Sequence, residues 1–263
     1  MKTAILGAGN IGTAIAQGLL KGTLTVPEDI VCTTKSPASL ERLRQQLPPS
    51  VSLTHDNASA VRQSRLVFLA VKPALIASII KEIRLSLTAE HILVSVAAGV
   101  TFEQLSGFLG KDAPAVSLFR LMPNTALSVS QSMTLISAAE PSAHSDLLLR
   151  LFAETGRSIL IPEQLMAAGT LLTSAGIAFA LRYIRAATEG GVALGFRPAD
   201  AQSLVAQTVL GAVALLSANE THPEVEIDKV TSPGGVTIRG LNAMEEAGFT
   251  KAVLAGLRLP TTI

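Results

Sequence analysis

The sequence predicts an α/β protein in two parts: a parallel sheet with covering helices over residues 1–161, then an all-helical part over residues 162–263. Three observations carry this. Short apolar runs alternate with helix-compatible segments through the first half of the chain. The β pattern stops after GRSILIPE (156–163), and the remainder reads as helices. The first apolar run leads into ILGAGNIGTAIAQGL, whose glycines stand where a strand turns into a helix.

In chain order, the strand-like runs are TAIL (3–6), DIVCTT (29–34), RLVFLAV (65–71), ILVSV (92–96), AVSLFRL (115–121) and MTLIS (133–137). IGTAIAQGLL and ASLERLRQQL are among the helix-like segments between them, and Pro48-Pro49 marks a turn. This spacing predicts βαβ units. Past Glu163 the helices are interrupted at Gly190-Gly191, Arg197-Pro198, His222-Pro223 and Ser232-Pro233.

With 48% hydrophobic and 16% charged residues, a chain of 263 residues can bury a large core. A net charge of +1, no Trp and one Tyr give no sign of a nucleic-acid partner. The single cysteine, Cys32, lies in an apolar run and reads as a buried strand thiol. His55, His91, His144 and His222 share no metal-ligand spacing, so no metal is expected. No signal-peptide pattern precedes the first strand, and a cytoplasmic protein is expected. Gln164 to Leu181 and Ala201 to Asn219 carry no charge and are long enough to span a bilayer. They lack aromatic belts and basic flanks, and Ala, Gly, Ser and Thr are frequent in them. The expectation is two helices buried on all sides, covered in part by a second subunit rather than by a membrane.

Gly7, Gly9 and Gly12 have the G-x-G-x-x-G spacing in the strand–turn–helix context that a dinucleotide site requires. Gly7 permits the turn, Gly9 lets backbone approach a pyrophosphate, and Gly12 permits close helix–strand packing. The second strand ends in CTTKSPASL, with no acid from Val31 to Leu40 to bind a ribose 2′-hydroxyl. Thr33, Thr34, Lys35 and Ser36 suit a 2′-phosphate instead, so NADP(H) is expected over NAD(H). AVKPA (70–74), SVAAGVT (95–101) and RLMPNTA (120–126) end successive strands with small residues or Pro, as the walls of a nicotinamide pocket would.

The stretch VTSPGGVTIRG (230–240) admits two readings, a turn with a helix cap or an anion site. Glycine lets backbone N–H groups approach a ligand, and a helix N-terminus favours negative charge.

With these segments in view, the chain resembles the pyrroline-5-carboxylate reductases over nearly its whole length. The resemblance rests on GAGNIG, Asn57 in HDNA, FLAVKP, SVAAG, RLMPNT, VTSPGGVT and GLNAMEEAGF. It implies a Rossmann-type NADP-binding domain followed by an all-α dimerisation domain, whose helices interlock between subunits in a homodimer and can build larger rings. Gly7, Ala8, Gly9, Asn10, Ile11, Gly12, Thr34, Lys35, Ser36, Asn57, Ala70, Val71, Lys72 and Pro73 match the family's NADP contacts. Ala97, Ala98 and Gly99, with Met122, Pro123 and Asn124, match loops around the nicotinamide. Gly234, Gly235 and Val236 match the backbone receiving the substrate carboxylate. Thr237 matches the hydroxyl near the ring nitrogen, and Glu220 an acid bordering the site. The implied reaction is hydride transfer from NADPH to a cyclic imino acid, yielding proline.

The chain departs from the family at TSAGIAFAL (173–181), where members usually carry a Ser-Gly-Ser-Gly-Pro-Ala-Tyr-like run. Ile177 replaces the proline, Phe179 lacks the tyrosine hydroxyl, and Ala126 stands where proline is common. Two other readings therefore stay open: a reductase of a different imine or a hydroxyacid, and a non-catalytic NADP-binding relative. The hydroxyacid enzymes use a lysine after the Rossmann domain, and no Lys lies between Lys111 and Lys229.

Overall fold

The computed structural model describes residues 1–258. The chain divides into two compact units, the first taking in Met1–Ser174 and the second beginning at Ala175.

In the first unit the alternation yields β1 (Thr3–Leu6), α1 (Asn10–Lys21), β2 (Ile30–Thr33), α2 (Pro37–Gln46), β3 (Ser52–Thr54), α3 (Asn57–Arg62), β4 (Leu66–Leu69) and α4 (Ile76–Ile83). There follow β5 (Ile92–Ser95), α5 (Phe102–Leu109), β6 (Ser117–Met122), β7 (Ser132–Ala138), α6 (His144–Ala153), β8 (Gly156–Leu160) and α7 (Met166–Thr170). The strands form one sheet in the order β3-β2-β1-β4-β5-β6-β7-β8. Neighbours are parallel except β6 and β7, which pair antiparallel, with Leu121 opposite Ile136. The expected parallel sheet is corrected there. Residues 123–131 are too few for a crossover helix, so the chain turns straight back. The strand β3 went unforeseen, because three residues with a single aliphatic give no periodic signal.

Alternation along each central strand fills two cores. Ile5 and Phe68 face one side with Val94 and Phe119. Ala4, Leu6, Val67 and Leu69 face the other, under Ile76, Ile80 and Ile83 of α4. Each fully buried large aliphatic or Phe contributes about 1.5–3 kcal/mol relative to exposure. Phe68 meets Phe152 of α6 edge-on at 6.0 Å between ring centroids. Cys32 lies in this core with no exposure, and burial pushes its thiol up to about 12.

The first compact unit runs on past β8 because the segment after that strand still packs on the sheet. Met166 and Leu171 are buried, and a methyl group on Gly169 would run into Leu135 of β7. Residues Leu171–Ala175 then form a π turn.

The second unit holds α8 (Gly176–Ala193), α9 (Pro198–Asn219), α10 (Pro223–Lys229), α11 (Val236–Glu246) and α12 (Phe249–Leu257). The helices expected to be buried on all sides with the help of a second subunit are left largely uncovered by the single chain. No residue of α8 is buried, and Ala201 alone is buried in α9. Leu194, Leu204, Leu210 and Val213 are exposed along them. The helical stretches Glu163–Ala193 and Pro198–Asn219 each contain an 18-residue window of mean hydropathy 1.5 and have the length to cross a membrane. A chain cannot enclose two such helices with three short ones, so their apolar faces are left for something outside it.

Candidate functional site

The first unit carries a phosphate-receptive turn where β1 becomes α1. Gly7 has φ +76 and lies against Val71, so no side chain fits there. A methyl group on Gly12 would stand 3.1 Å from Ala70 and 3.2 Å from Ile5, which keeps α1 close to the sheet. At Gly9 the nearest atom to such a methyl group would be the Gly7 carbonyl oxygen at 3.9 Å, so that side of the turn is open. The loop's own N–H groups are already used. Gly7 donates to Thr33 Oγ1 at 3.1 Å, Ala8 to the Thr33 carbonyl at 2.7 Å, and Gly9 to the Gly7 carbonyl at 2.6 Å. The donors left for a pyrophosphate are the first N–H groups of α1, from Asn10, Ile11 and Gly12. No side chain caps this helix and its first turn has no acid. The residues present fit a dinucleotide.

At the end of β2, Thr34 is half-buried and Lys35 exposed, while Ser36 caps α2 by accepting from Ser39 N–H at 3.2 Å. His55 joins them, its Nδ1 2.5 Å from the Thr34 carbonyl. Sequence reasoning missed His55, because β3 brings it there and β3 was unforeseen. Asn57 serves the glycine turn from behind. Its Oδ1 accepts from Thr33 Oγ1 at 2.5 Å, and its Nδ2 donates to Glu82 at 3.0 Å. The amide of Asn57 is thus committed inside the chain.

Ala70, Val71, Lys72 and Pro73 follow β4, with Ala70 N–H bound to the Leu6 carbonyl at 2.8 Å. Ala97, Ala98 and Gly99 follow β5, and Gly99 has φ +75 just before the Thr101–Gln104 capping box of α5. Beside the end of β5 lies a cavity of about 350 Å³ bordered by Ala98, Gly99, Met122, Met166 and Thr170. Its wall holds an ion pair that sequence reasoning also missed. Arg120 is 7% exposed and reaches Glu163 at 2.8 Å, while Glu163 also accepts from Phe102 N–H at 2.7 Å. A guanidinium in mid-strand, inside an otherwise apolar run, was the available signal.

Pro123 and Asn124 clamp the π turn. Asn124 Nδ2 donates to the Thr173 carbonyl at 3.1 Å, its Oδ1 accepts from Ala126 N–H at 3.0 Å, and Ser174 Oγ donates to the Pro123 carbonyl at 3.3 Å. A π turn breaks the regular helical ladder, and here the Asn124 side chain takes up one carbonyl of the turn while Ser174 ties the turn to Pro123.

In the second unit, VTSPGGVT forms a turn and then α11. Pro233 and Gly234, with φ +67, bring Gly235 N–H onto the Ser232 carbonyl at 3.0 Å. This corrects the expectation that Gly234, Gly235 and Val236 all offer donors. Gly235 N–H closes the turn, so the donors left are Gly234 and the first turn of α11, Val236 and Thr237. No side chain caps α11 either. Thr170, Thr188, Thr208 and Thr231 donate to the carbonyl four residues back. Thr237 stands in the first turn of its helix, with Pro233 outside it, which frees its hydroxyl from that habit.

Glu220 ends α9 in the left-handed region at φ 50. Beside it, Glu226 accepts from Asn219 at 3.0 Å, Thr221 at 2.5 Å and Lys229 at 2.7 Å. Lys229, Thr221 and Asn219 together hold the Glu226 carboxyl down at about 2.

Comparison with known proteins covers both units. Residues 163–259 match the family model described as pyrroline-5-carboxylate reductase dimerisation. Residues 2–99 match one described as NADP oxidoreductase coenzyme F420-dependent. Pyrroline-5-carboxylate reductase from Methanosarcina acetivorans is 35% identical over 96% of this chain and 93% of its own length. Pyrroline-5-carboxylate reductase 1 from Dictyostelium discoideum is 39% identical over 97% of this chain, which spans about half (47%) of that relative. A solved pyrroline-5-carboxylate reductase from Coxiella burnetii superimposes with a TM-score of 0.87 at 28% identity, over 99% of this chain and 96% of that one.

Proposed function

This chain belongs to the pyrroline-5-carboxylate reductase family, and from that premise we propose that it reduces L-1-pyrroline-5-carboxylate to L-proline with NADPH. The observation that carries the reading is the second anion-receptive turn. A dehydrogenase needs one such turn for its dinucleotide, and this chain builds another at Pro233-Gly234 with its own uncapped helix. A small cyclic imine bearing a carboxylate is the substrate such a turn suits.

Bound at the glycine turn, NADPH supplies the hydride. The residues of the chain then bind and orient. Gly234, Val236 and Thr237 N–H groups receive the carboxylate, and the Thr237 hydroxyl lies near the imine nitrogen. Glu220 borders the ring. The imine enters protonated on nitrogen. The hydride adds to its carbon, and the C=N π pair moves onto nitrogen as the lone pair of the proline amine. The nitrogen keeps its proton, so no strong acid is required. Positioning supplies most of the rate. Gly7 to Gly12, Thr34, Lys35, Ser36 and Ala70 to Pro73 form the cofactor's bed. Ala97, Ala98, Gly99 and Pro123 border its nicotinamide end, while Asn57 and Asn124 act through the Gly7 turn and the π turn.

Preference for NADPH over NADH follows from Thr34-Lys35-Ser36, with no acid in that stretch. A homodimer with interlocked helical units, and a ring of such dimers, would cover α8 and α9, and the dimerisation model spans both helices. That cover, in place of a membrane, fits a cytoplasmic enzyme that meets no nucleic acid. One observation favours a second reading, reduction of a different cyclic imine: Ile177 and Phe179 depart from the family's run. The test follows NADPH oxidation with pyrroline-5-carboxylate and a panel of other cyclic imines. Fastest turnover of pyrroline-5-carboxylate is expected, and faster turnover of another imine would favour the second reading.

A further inference from the structure

The corner between α9 and α10 has an unusual backbone. Glu220 has φ 50 and ψ 36, a region that side-chain-bearing residues seldom occupy. Such a residue persists where its surroundings over-determine it. Three features do so here. Glu220 N–H closes on the Leu216 carbonyl at 3.1 Å. Asn219 immediately before it and Thr221 immediately after it both donate to one carboxylate oxygen of Glu226, at 3.0 and 2.5 Å. Lys229 Nζ reaches the same oxygen at 2.7 Å, and the Glu226 side chain is only 11% exposed.

From this geometry we infer that Glu226 is a positioning residue for Glu220. Its carboxylate ties the side chains on both sides of Glu220 to α10 and so fixes the direction in which the Glu220 carboxylate leaves the backbone. The inference rests on the reading above that Glu220 borders the substrate. A purely structural ion pair would join α9 to α10 with any residue between them in a relaxed conformation. Here both flanking side chains converge on one acceptor across a left-handed residue. Lys229 sits on the same helix as Glu226, three residues on, and offsets the charge brought to the corner.

The test is a double-mutant cycle on the full chain, with pyrroline-5-carboxylate and NADPH as probes. Glu226→Ala is expected to raise KM for the imine about 5–10-fold while kcat stays within about twofold and the NADPH dissociation constant is unchanged. Glu226→Gln keeps an acceptor oxygen for Asn219 and Thr221 and is expected to recover most of that loss. In a Glu220→Ala background, Glu226→Ala should add nothing further to KM. If Glu220→Ala alone leaves KM unchanged, the substrate reading of Glu220 is wrong and the inference goes with it. If Glu220→Ala raises KM and Glu226→Ala raises it again in the double variant, the substrate reading stands and the positioning role is overturned. Parallel losses in kcat and NADPH binding would also overturn it, since they mark a scaffold defect. Should Glu226→Ala not fold, Thr221→Val removes one arm of the same arrangement and takes its place in the cycle, with the same expected split.

Discussion

In the proposed reading, Lys35 is the residue on which cofactor choice turns. It stands exposed at the end of β2 between Thr34 and Ser36. Replacing Lys35 with Ala should raise the NADPH dissociation constant about tenfold, the scale of one charge-assisted hydrogen bond, and leave NADH unaffected. Fluorescence titration with both nucleotides checks this, and equal losses would remove Lys35 from the 2′-phosphate. Thr237→Ala should lower turnover about tenfold, since one hydrogen bond near the reacting nitrogen is worth roughly 1–2 kcal/mol, while Thr237→Ser retains most activity. Steady-state rates at saturating NADPH would reveal it. Gly235 is a poorer target for such a test. A side chain there would strike Ser232 and open the turn, mixing lost binding with lost structure. The roles of Gly7 and Gly12 were legible in the sequence because spacing alone fixes them. The engagement of Asn57 and Asn124 inside the chain was not, since it depends on partners at Thr33, Glu82 and Thr173 that no motif joins.

Among the elements, β1, the glycine turn and α1 form the unit most sensitive to small changes. Gly12→Ala would place a methyl group 3.1–3.3 Å from Ala70, Ile5 and the Gly7 carbonyl. Pushing α1 off the sheet should cost about 1–3 kcal/mol and weaken dinucleotide binding together with it. Thermal melts with and without NADPH would show both effects, and an unchanged melting temperature would mean α1 has room. The strands built on apolar runs were legible from sequence, as at LVFL and ILVS. Elements set by contact rather than pattern were not. The antiparallel return of β7 follows from a short connection, and the π turn from the clamp of Asn124 and Ser174. Both lie beside the candidate site.

At the scale of the whole molecule, composition points to a second subunit. The 48% hydrophobic content includes apolar faces that one chain leaves open on α8 and α9. Light scattering at low micromolar concentration should give at least a dimer, and Leu210→Asp on the exposed face of α9 should shift it toward single chains. A wild-type protein that stays folded as single chains on dilution would remove the second subunit from the account, and partition into detergent would return the membrane reading. The residues after β8 read as helical in sequence and are helical; what sequence does not show is that they pack on the sheet through Met166, Gly169 and Leu171.

The claim that unites these scales is a hydride passing from NADPH to the carbon of a cyclic imine held by the Pro233-Gly234 turn. The direct measurement incubates the protein with NADPH carrying deuterium at both C4 positions of the nicotinamide and with pyrroline-5-carboxylate, and weighs the product by mass spectrometry. Proline carrying the deuterium, formed in step with NADPH loss and suppressed by Thr237→Ala, is the predicted result. NADPH loss that leaves no deuterium in proline, or no proline at all from a folded and NADPH-binding protein, would contradict it.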